Sequence, residues 1–100
     1  MSVQELNEKD FYNYREAKTA LIYFYADWCP SCRVLNIIVN EIANERADIA
    51  IGKVNVGTKA HLASQFNIKS VPTLILFKEG TESVRSVGAT TKKAIIDMLR

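Results

Sequence analysis

Cysteine occurs twice in this chain of 100 residues, proline twice, glycine four times, and histidine and tryptophan once each. So little proline and glycine excludes a collagenous or low-complexity chain. Two cysteines are too few for a disulfide-stapled scaffold, and with one histidine they do not complete a four-ligand zinc site, so no metal and no cofactor is expected. No stretch reaches the roughly 20 apolar residues that a membrane helix requires. Charge of one sign is scarce too: thirteen Lys+Arg against eleven Asp+Glu leave a net charge of +2. Arg33, Lys53, Lys59, Lys69, Lys92 and Lys93 are scattered, as solvated surface charges are, so neither nucleic acid nor an anionic membrane is expected as a partner. The segment Met1–Leu6 has no basic block and no apolar block, which predicts no secretory leader and a cytoplasmic, reducing home.

What remains is an ordinary globular composition. With 48% hydrophobic and 24% charged residues, the chain suffices for a single domain over residues 1–100 that buries its own core. Val3 to Leu6 reads as a weak first strand. Asn7 is placed to cap a helix through Lys18, with Phe11, Tyr14 and Ala17 at three-residue spacing. Ala20 to Ala26 is a continuous apolar run, which suits a central strand covered on both faces. Pro30 fits the first turn of the following helix, where its missing N–H costs nothing. Val34, Leu35, Ile38, Ile42 and Ala43 give that helix an apolar stripe as far as about Arg46.

Ile49 to Val56 predicts a third strand, and Thr58 a cap for a short helix holding Leu62, Ala63 and Phe66. Thr73–Lys78 and Ser83–Val87 flank Glu79-Gly80-Thr81 as the arms of a hairpin. Thr91 caps a last helix with Ala94, Ile95, Met98 and Leu99 turned inward. The expected fold class is α/β, order βαβαββα, with a mixed central sheet between helical layers.

The chemistry-bearing motif is Trp28-Cys29-Pro30-Ser31-Cys32, which holds both cysteines at the junction of the central strand and the long helix. Thiols three residues apart at such a junction can close a small disulfide ring. The helix N-terminus favours a thiolate on the first sulfur through its partial positive charge and free N–H groups. Cys29 is therefore the candidate nucleophile and Cys32 the resolving thiol; against two inert structural thiols, the strand-to-helix placement decides for redox exchange. Ser31 either hydrogen-bonds the Cys29 sulfur or occupies the surface of the first turn.

Phe24, Ala26, Trp28, Cys29, Cys32, Asn55, Val71-Pro72-Thr73, Phe77-Lys78, Gly80 and Gly88 fall at spacings that make the whole chain resemble the thioredoxin family. The resemblance implies a thioredoxin fold and reduction of protein disulfides by dithiol–disulfide exchange. It also implies a cis Pro72 beside the dithiol, with Val71 offering its backbone to an extended substrate. Trp28 and Gly88-Ala89 would complete an apolar docking surface that reads backbone more than side chains. The implied partners are disulfide-containing proteins and a disulfide reductase as electron donor, such as thioredoxin reductase, and the implied state is a monomer.

Several positions depart from the family pattern. A buried aspartate is usual where this chain has Tyr23, six residues before Cys29, and a phenol with a pKa near 10 is a poor base at neutral pH. Tyr23 is expected to pack in the core, and Lys53, having lost that anion, to donate to the Tyr23 hydroxyl. Pro30-Ser31 replaces Gly-Pro, Ile37 replaces the helix-kinking proline, and Tyr25 replaces a frequent Trp. Pro30, Ser31, Tyr23 and Lys53 thus modulate the site. The departures bear on reduction potential and on the rate of resolution.

Three function classes follow: a disulfide reductase; a specialised redox carrier, oxidase or isomerase for a dedicated partner; and a non-catalytic binding module. A cluster shared between two chains, as in some glutaredoxins with Cys-Pro-x-Cys, is disfavoured by Trp28 and the thioredoxin-like second half. Arg33 and the lone His61 are expected as surface residues.

Overall fold

A computed structural model describes residues 3–100; Met1 and Ser2, which enter the leader and domain expectations, lie outside it. Strands β1 (Gln4–Glu5), β2 (Thr19–Tyr25), β3 (Ala50–Asn55), β4 (Thr73–Lys78) and β5 (Thr81–Val87) alternate with helices α1 (Glu8–Arg15), α2 (Pro30–Glu45), α3 (Ala60–Gln65) and α4 (Lys92–Met98). The order βαβαβαββα carries one strand–helix pair more than the expected seven-element string, and the sheet is mixed and helix-covered as expected. Strands lie β1-β3-β2-β4-β5, with β1, β3 and β2 parallel and β4 and β5 antiparallel to their neighbours.

The apolar run around Leu21–Phe24 places β2 at the centre, hydrogen-bonded on both edges and buried on both faces. Period-two alternation then sorts side chains between two layers. Leu21, Tyr23, Leu74 and Leu76 meet Leu35, Val39 and Ile42 of α2 and Ile95 of α4. Ala20, Ile22, Phe24, Ile75 and Phe77 meet Phe11 of α1 and Leu62 of α3. Each fully buried Leu, Ile or Val contributes roughly 1.5–3 kcal/mol, so these two layers hold the sheet in place.

Local chemistry sets several element ends. Asn7 caps α1, its side chain accepting from the Asp10 N–H, and Thr91 caps α4, accepting from Ala94. Glu79 and Gly80 make a tight β4–β5 turn with φ of 52° and 83°, a left-handed pair that favours glycine. Helix α1 ends at Arg15, earlier than Lys18, because a turn bond from the Ala17 N–H to the Tyr14 carbonyl closes it.

Other expectations fail for physical reasons. Thr58 does not cap α3: the Asn55 carbonyl gathers the Thr58 and Lys59 N–H groups and the Thr58 hydroxyl into a turn, and the helix begins at Ala60 without a side-chain cap. On α2 the buried stripe is Leu35, Val39, Ile42 and Ala43, while Val34 is exposed. One residue is about 100° of helix, so facing Leu35 inward turns Val34 out. On α4, Ile95 is buried, as is Leu99 at the C-cap, but Ala94 is exposed.

Candidate active site

Helix α2 starts at the end of a short loop from β2, and Cys29 is its N-cap, with extended backbone at φ −99° and ψ 106°. Pro30 occupies the first helical position, where no N–H is lost from the ladder. The first turn then brings Cys32 back beside Cys29: the Cys32 N–H donates to the Cys29 carbonyl at 3.2 Å, the Cα atoms are 5.3 Å apart, and the two sulfurs are joined in a disulfide. Both cysteines are buried, at 6% and 4% exposure, at the end of the layer formed with Leu35 and Leu74. The pair closes a small ring at the N-terminus of α2, where the helix presents free N–H groups and its partial positive charge.

Ser31 Oγ lies 3.5 Å from Cys29 Sγ, so of its two expected placements the structure has the one in reach of the sulfur. Trp28 is 69% exposed and lies against Gly57, where an added Cβ would come within 3.0 Å of the indole. The Val71–Pro72 peptide is cis, and Val71 packs on the layer that holds the dithiol. Among the described residues neither backbone polar group of Val71 takes a hydrogen bond. Gly88, at φ 92°, donates its N–H to the Pro72 carbonyl at 2.8 Å and so ties the end of β5 to that loop. Trp28, Val71, Pro72 and Gly88 are thus each placed in the fold by contacts of their own.

Tyr23 is buried at 1% exposure, and its hydroxyl donates to the Cys32 carbonyl at 2.8 Å. Burial pushes its pKa up to about 12, so the phenol stays protonated at neutral pH. The expected Lys53–Tyr23 pairing is not formed. Lys53 Nζ instead sits over the Tyr25 ring, 5.3 Å from its centroid. Tyr23 has its acceptor on α2, which packs directly over β2, and the Tyr25 ring stacked on Tyr23 offers the ammonium a π face. Tyr25 donates to the Glu5 carboxylate, and burial first and Glu5 second raise its pKa.

Both cysteines, Tyr23, Tyr25 and Lys53 line a cavity of about 220 Å³ that also takes in Asp27 and Arg33. Arg33 is exposed yet reaches the wall of this cavity, and His61 is exposed on α3, away from it. Sequence reasoning passed over Asp27. Its signal was a carboxylate two residues before Cys29, at the end of an otherwise apolar strand. Asn55 enters through its side chain: its Oδ1 accepts from the Gly57 N–H at 2.8 Å, and its Nδ2 donates to Asp27 Oδ2 at 3.4 Å. No group of three or more His, Cys, Asp and Glu side chains suited to a metal ion occurs among the described residues. No helix of the described residues is long and apolar enough to cross a membrane.

Comparison with known proteins agrees with this geometry. The thioredoxin family model matches residues 2–100. The chain is 33% identical to the thioredoxin of Chlamydia pneumoniae over 97 residues, which are 97% of this chain and 95% of the relative. It is 42% identical to the thioredoxin of Mycobacterium tuberculosis over 80 residues, 79% of this chain and 69% of the relative. A point mutant of thioredoxin from Halobacterium salinarum superposes with a TM-score of 0.91 at 30% identity, covering 98% of this chain and 88% of that one. Mitochondrial thioredoxin 3 of Saccharomyces cerevisiae shares the fold at a TM-score of 0.87, with 23% identity and coverage of 97% and 92%.

Proposed function

The chain belongs to the thioredoxin family and is a protein-disulfide reductase, and from that premise we propose that Cys29 and Cys32 carry its reaction as nucleophile and resolving thiol. The observation that carries this assignment is the Cys29–Cys32 disulfide at the first turn of α2, beside exposed Trp28. In the reduced protein the Cys29 thiolate attacks one sulfur of a substrate disulfide, forms a mixed disulfide and expels the other substrate sulfur as a thiolate. Cys32 then loses its proton and attacks Cys29 Sγ. The Cys29–Cys32 bond forms, the bond to substrate breaks, and the second substrate sulfur leaves. Two electrons pass from the dithiol to the substrate, whose two departing thiolates are balanced by the proton Cys32 releases and one taken from solvent. Holding both thiols on one helical turn makes the second attack intramolecular and fast.

Substrates are disulfide-containing proteins that lay an extended segment along Val71, whose N–H and carbonyl pair with it as a strand would, while Trp28, Pro72 and Gly88 supply apolar contact. Pro30 starts the helix, and Ser31 tunes the potential through its 3.5 Å approach to Cys29 Sγ. Stabilising the thiolate makes the couple more oxidising, by about 30 mV for every 1.4 kcal/mol. A separate disulfide reductase of the thioredoxin reductase kind returns the electrons. A monomeric single domain in the reducing cytoplasm suits a lone catalytic dithiol.

An equilibrium redox titration followed by Trp28 fluorescence, with thiols counted by alkylation and mass, tests this directly. A reversible two-electron transition that Cys29→Ser and Cys32→Ser each abolish is the expected result. Absence of any Cys29–Cys32 couple in the wild-type protein refutes it. A midpoint well above the reducing range would retain the pair and assign it to an oxidase, an isomerase or a dedicated carrier.

A further inference from the structure

Resolution of the mixed disulfide requires Cys32 to lose a proton, and the usual buried carboxylate is absent. Tyr23, which stands in its place, is a poor substitute as a base: its hydroxyl already donates to the Cys32 carbonyl, and its pKa is pushed up to about 12. The other groups around the cavity can be taken in turn. On β2, Tyr25 donates to Glu5 of β1, which engages that carboxylate away from the sulfurs. On α2, Arg33 is cationic, and on β3, Lys53 is a cation seated on the Tyr25 ring. The lone histidine, His61, is exposed on α3 and does not line the cavity. Asp27 is the one carboxylate among the described residues that line this cavity.

Asp27 is also held. The Gly57 N–H fixes the orientation of the Asn55 amide, which leaves Nδ2 to hold Asp27 Oδ2 at 3.4 Å. Asp27 Oδ1 takes no hydrogen bond from any described residue. The cavity shared by Asp27 and both sulfurs, about 220 Å³, has room for several waters at about 30 Å³ each.

We propose that Asp27 is the general base for resolution, taking the Cys32 thiol proton through water in this cavity. The proton passes from Cys32 Sγ to the Asp27 carboxylate. The Cys32 thiolate attacks Cys29 Sγ, the Cys29–substrate bond breaks, and the departing substrate thiolate recovers the proton from solvent as Asp27 gives it up. No oxidant or reductant beyond the dithiol and its substrate is needed. The base has moved from the buried strand centre to the strand end, and Tyr23 keeps only the task of holding the Cys32 turn. This inference rests on Cys32 being the resolving thiol.

The test is stopped-flow oxidation of the reduced protein by excess insulin disulfide, read by Trp28 fluorescence, with the first-order limit at saturating insulin taken between pH 6 and pH 9. Asp27→Asn is expected to lower that limit at least tenfold at pH 7, with the gap closing toward pH 9, as rising hydroxide takes over the removal of the proton. Asp27→Glu should recover most of the rate. Added imidazole should accelerate Asp27→Asn in proportion to its concentration and leave the wild-type protein unmoved. An Asp27→Asn limit equal to wild type at pH 7 overturns the proposal, as does equal slowing at every pH without rescue by imidazole. Far-UV circular dichroism of both variants confirms that each is folded. If the wild-type protein itself forms no Cys29–Cys32 disulfide, the assignment of the pair fails first and takes the base with it; a normal wild-type couple with unaffected Asp27→Asn fails Asp27 alone.

Discussion

Along β2, Ala20, Ile22 and Phe24 enter the layer under α1 and α3, while Leu21 and Tyr23 enter the layer under α2 and α4, and the two layers differ in kind. The first is hydrocarbon and aromatic: Phe11 meets Phe66 at 5.1 Å and Phe77 at 6.0 Å between ring centroids, both edge to face, with Phe24 at 6.4 Å. The second carries the dithiol, the Tyr23 hydroxyl and the polar cavity. Consecutive residues on one strand therefore serve different ends. The aromatic layer buries hydrocarbon and phenylalanine rings, with Tyr12 and Tyr14 only at its margin, while the other layer holds a cavity and polar groups beside the sulfurs.

The comparison breaks hardest at Cys29. Cys29→Ser should abolish insulin-disulfide reduction completely while leaving the far-UV circular dichroism spectrum intact. On the opposite layer, Phe11→Ala should cost about 3–5 kcal/mol by urea denaturation, through lost ring contacts and the cavity left behind. The rate at which iodoacetamide alkylates Cys29 in its folded, reduced form should stay as in the wild type. A changed alkylation rate would show that the two layers are coupled through β2.

Alkaline pH should sharpen the contrast. Tyr23 has its pKa raised from 10 to about 12 in the folded protein. A raised folded pKa means that the stabilisation is fully present below pH 10 and is lost as pH climbs to about 12, because the unfolded chain releases the proton first. The loss from this residue is on the order of 2–3 kcal/mol, and Tyr23→Phe should flatten that part of a stability profile measured by urea denaturation. At pH 7 the same substitution should cost about 1 kcal/mol, the worth of its bond to the Cys32 carbonyl. No comparable alkaline slope should appear from the phenylalanine layer.

Features carried by local chemistry were legible in the sequence. The apolar run at Leu21–Phe24, the caps at Asn7 and Thr91 and the Glu79-Gly80 turn each declare themselves within a few residues. The dithiol at a strand-to-helix junction did so as well. Thr58 misled because capping and turn formation use the same hydroxyl, and here the Asn55 carbonyl claims it. Val34 misled because an apolar residue next to Leu35 carries no local mark of the helix's rotation. The Tyr23–Cys32 and Lys53–Tyr25 contacts, and the meeting of Asp27 with Asn55, depend on how α2 and β3 pack beside β2. Partners 28 residues apart, as Asp27 and Asn55 are, leave no trace in sequence spacing.

Strand β5 closes one side of the sheet with side chains that are largely exposed, and its pairing with β4 slips between Leu76 and Phe77, so that Ser83 has no partner opposite. The Glu82–Arg85 ion pair flanks that slip on the same strand. An open edge is where one protein molecule can extend the sheet of another, and a bulge with charges beside it spoils the flat, regular template such growth needs. The slip and the ion pair together make this rim a poor template for a strand from a second copy of the chain.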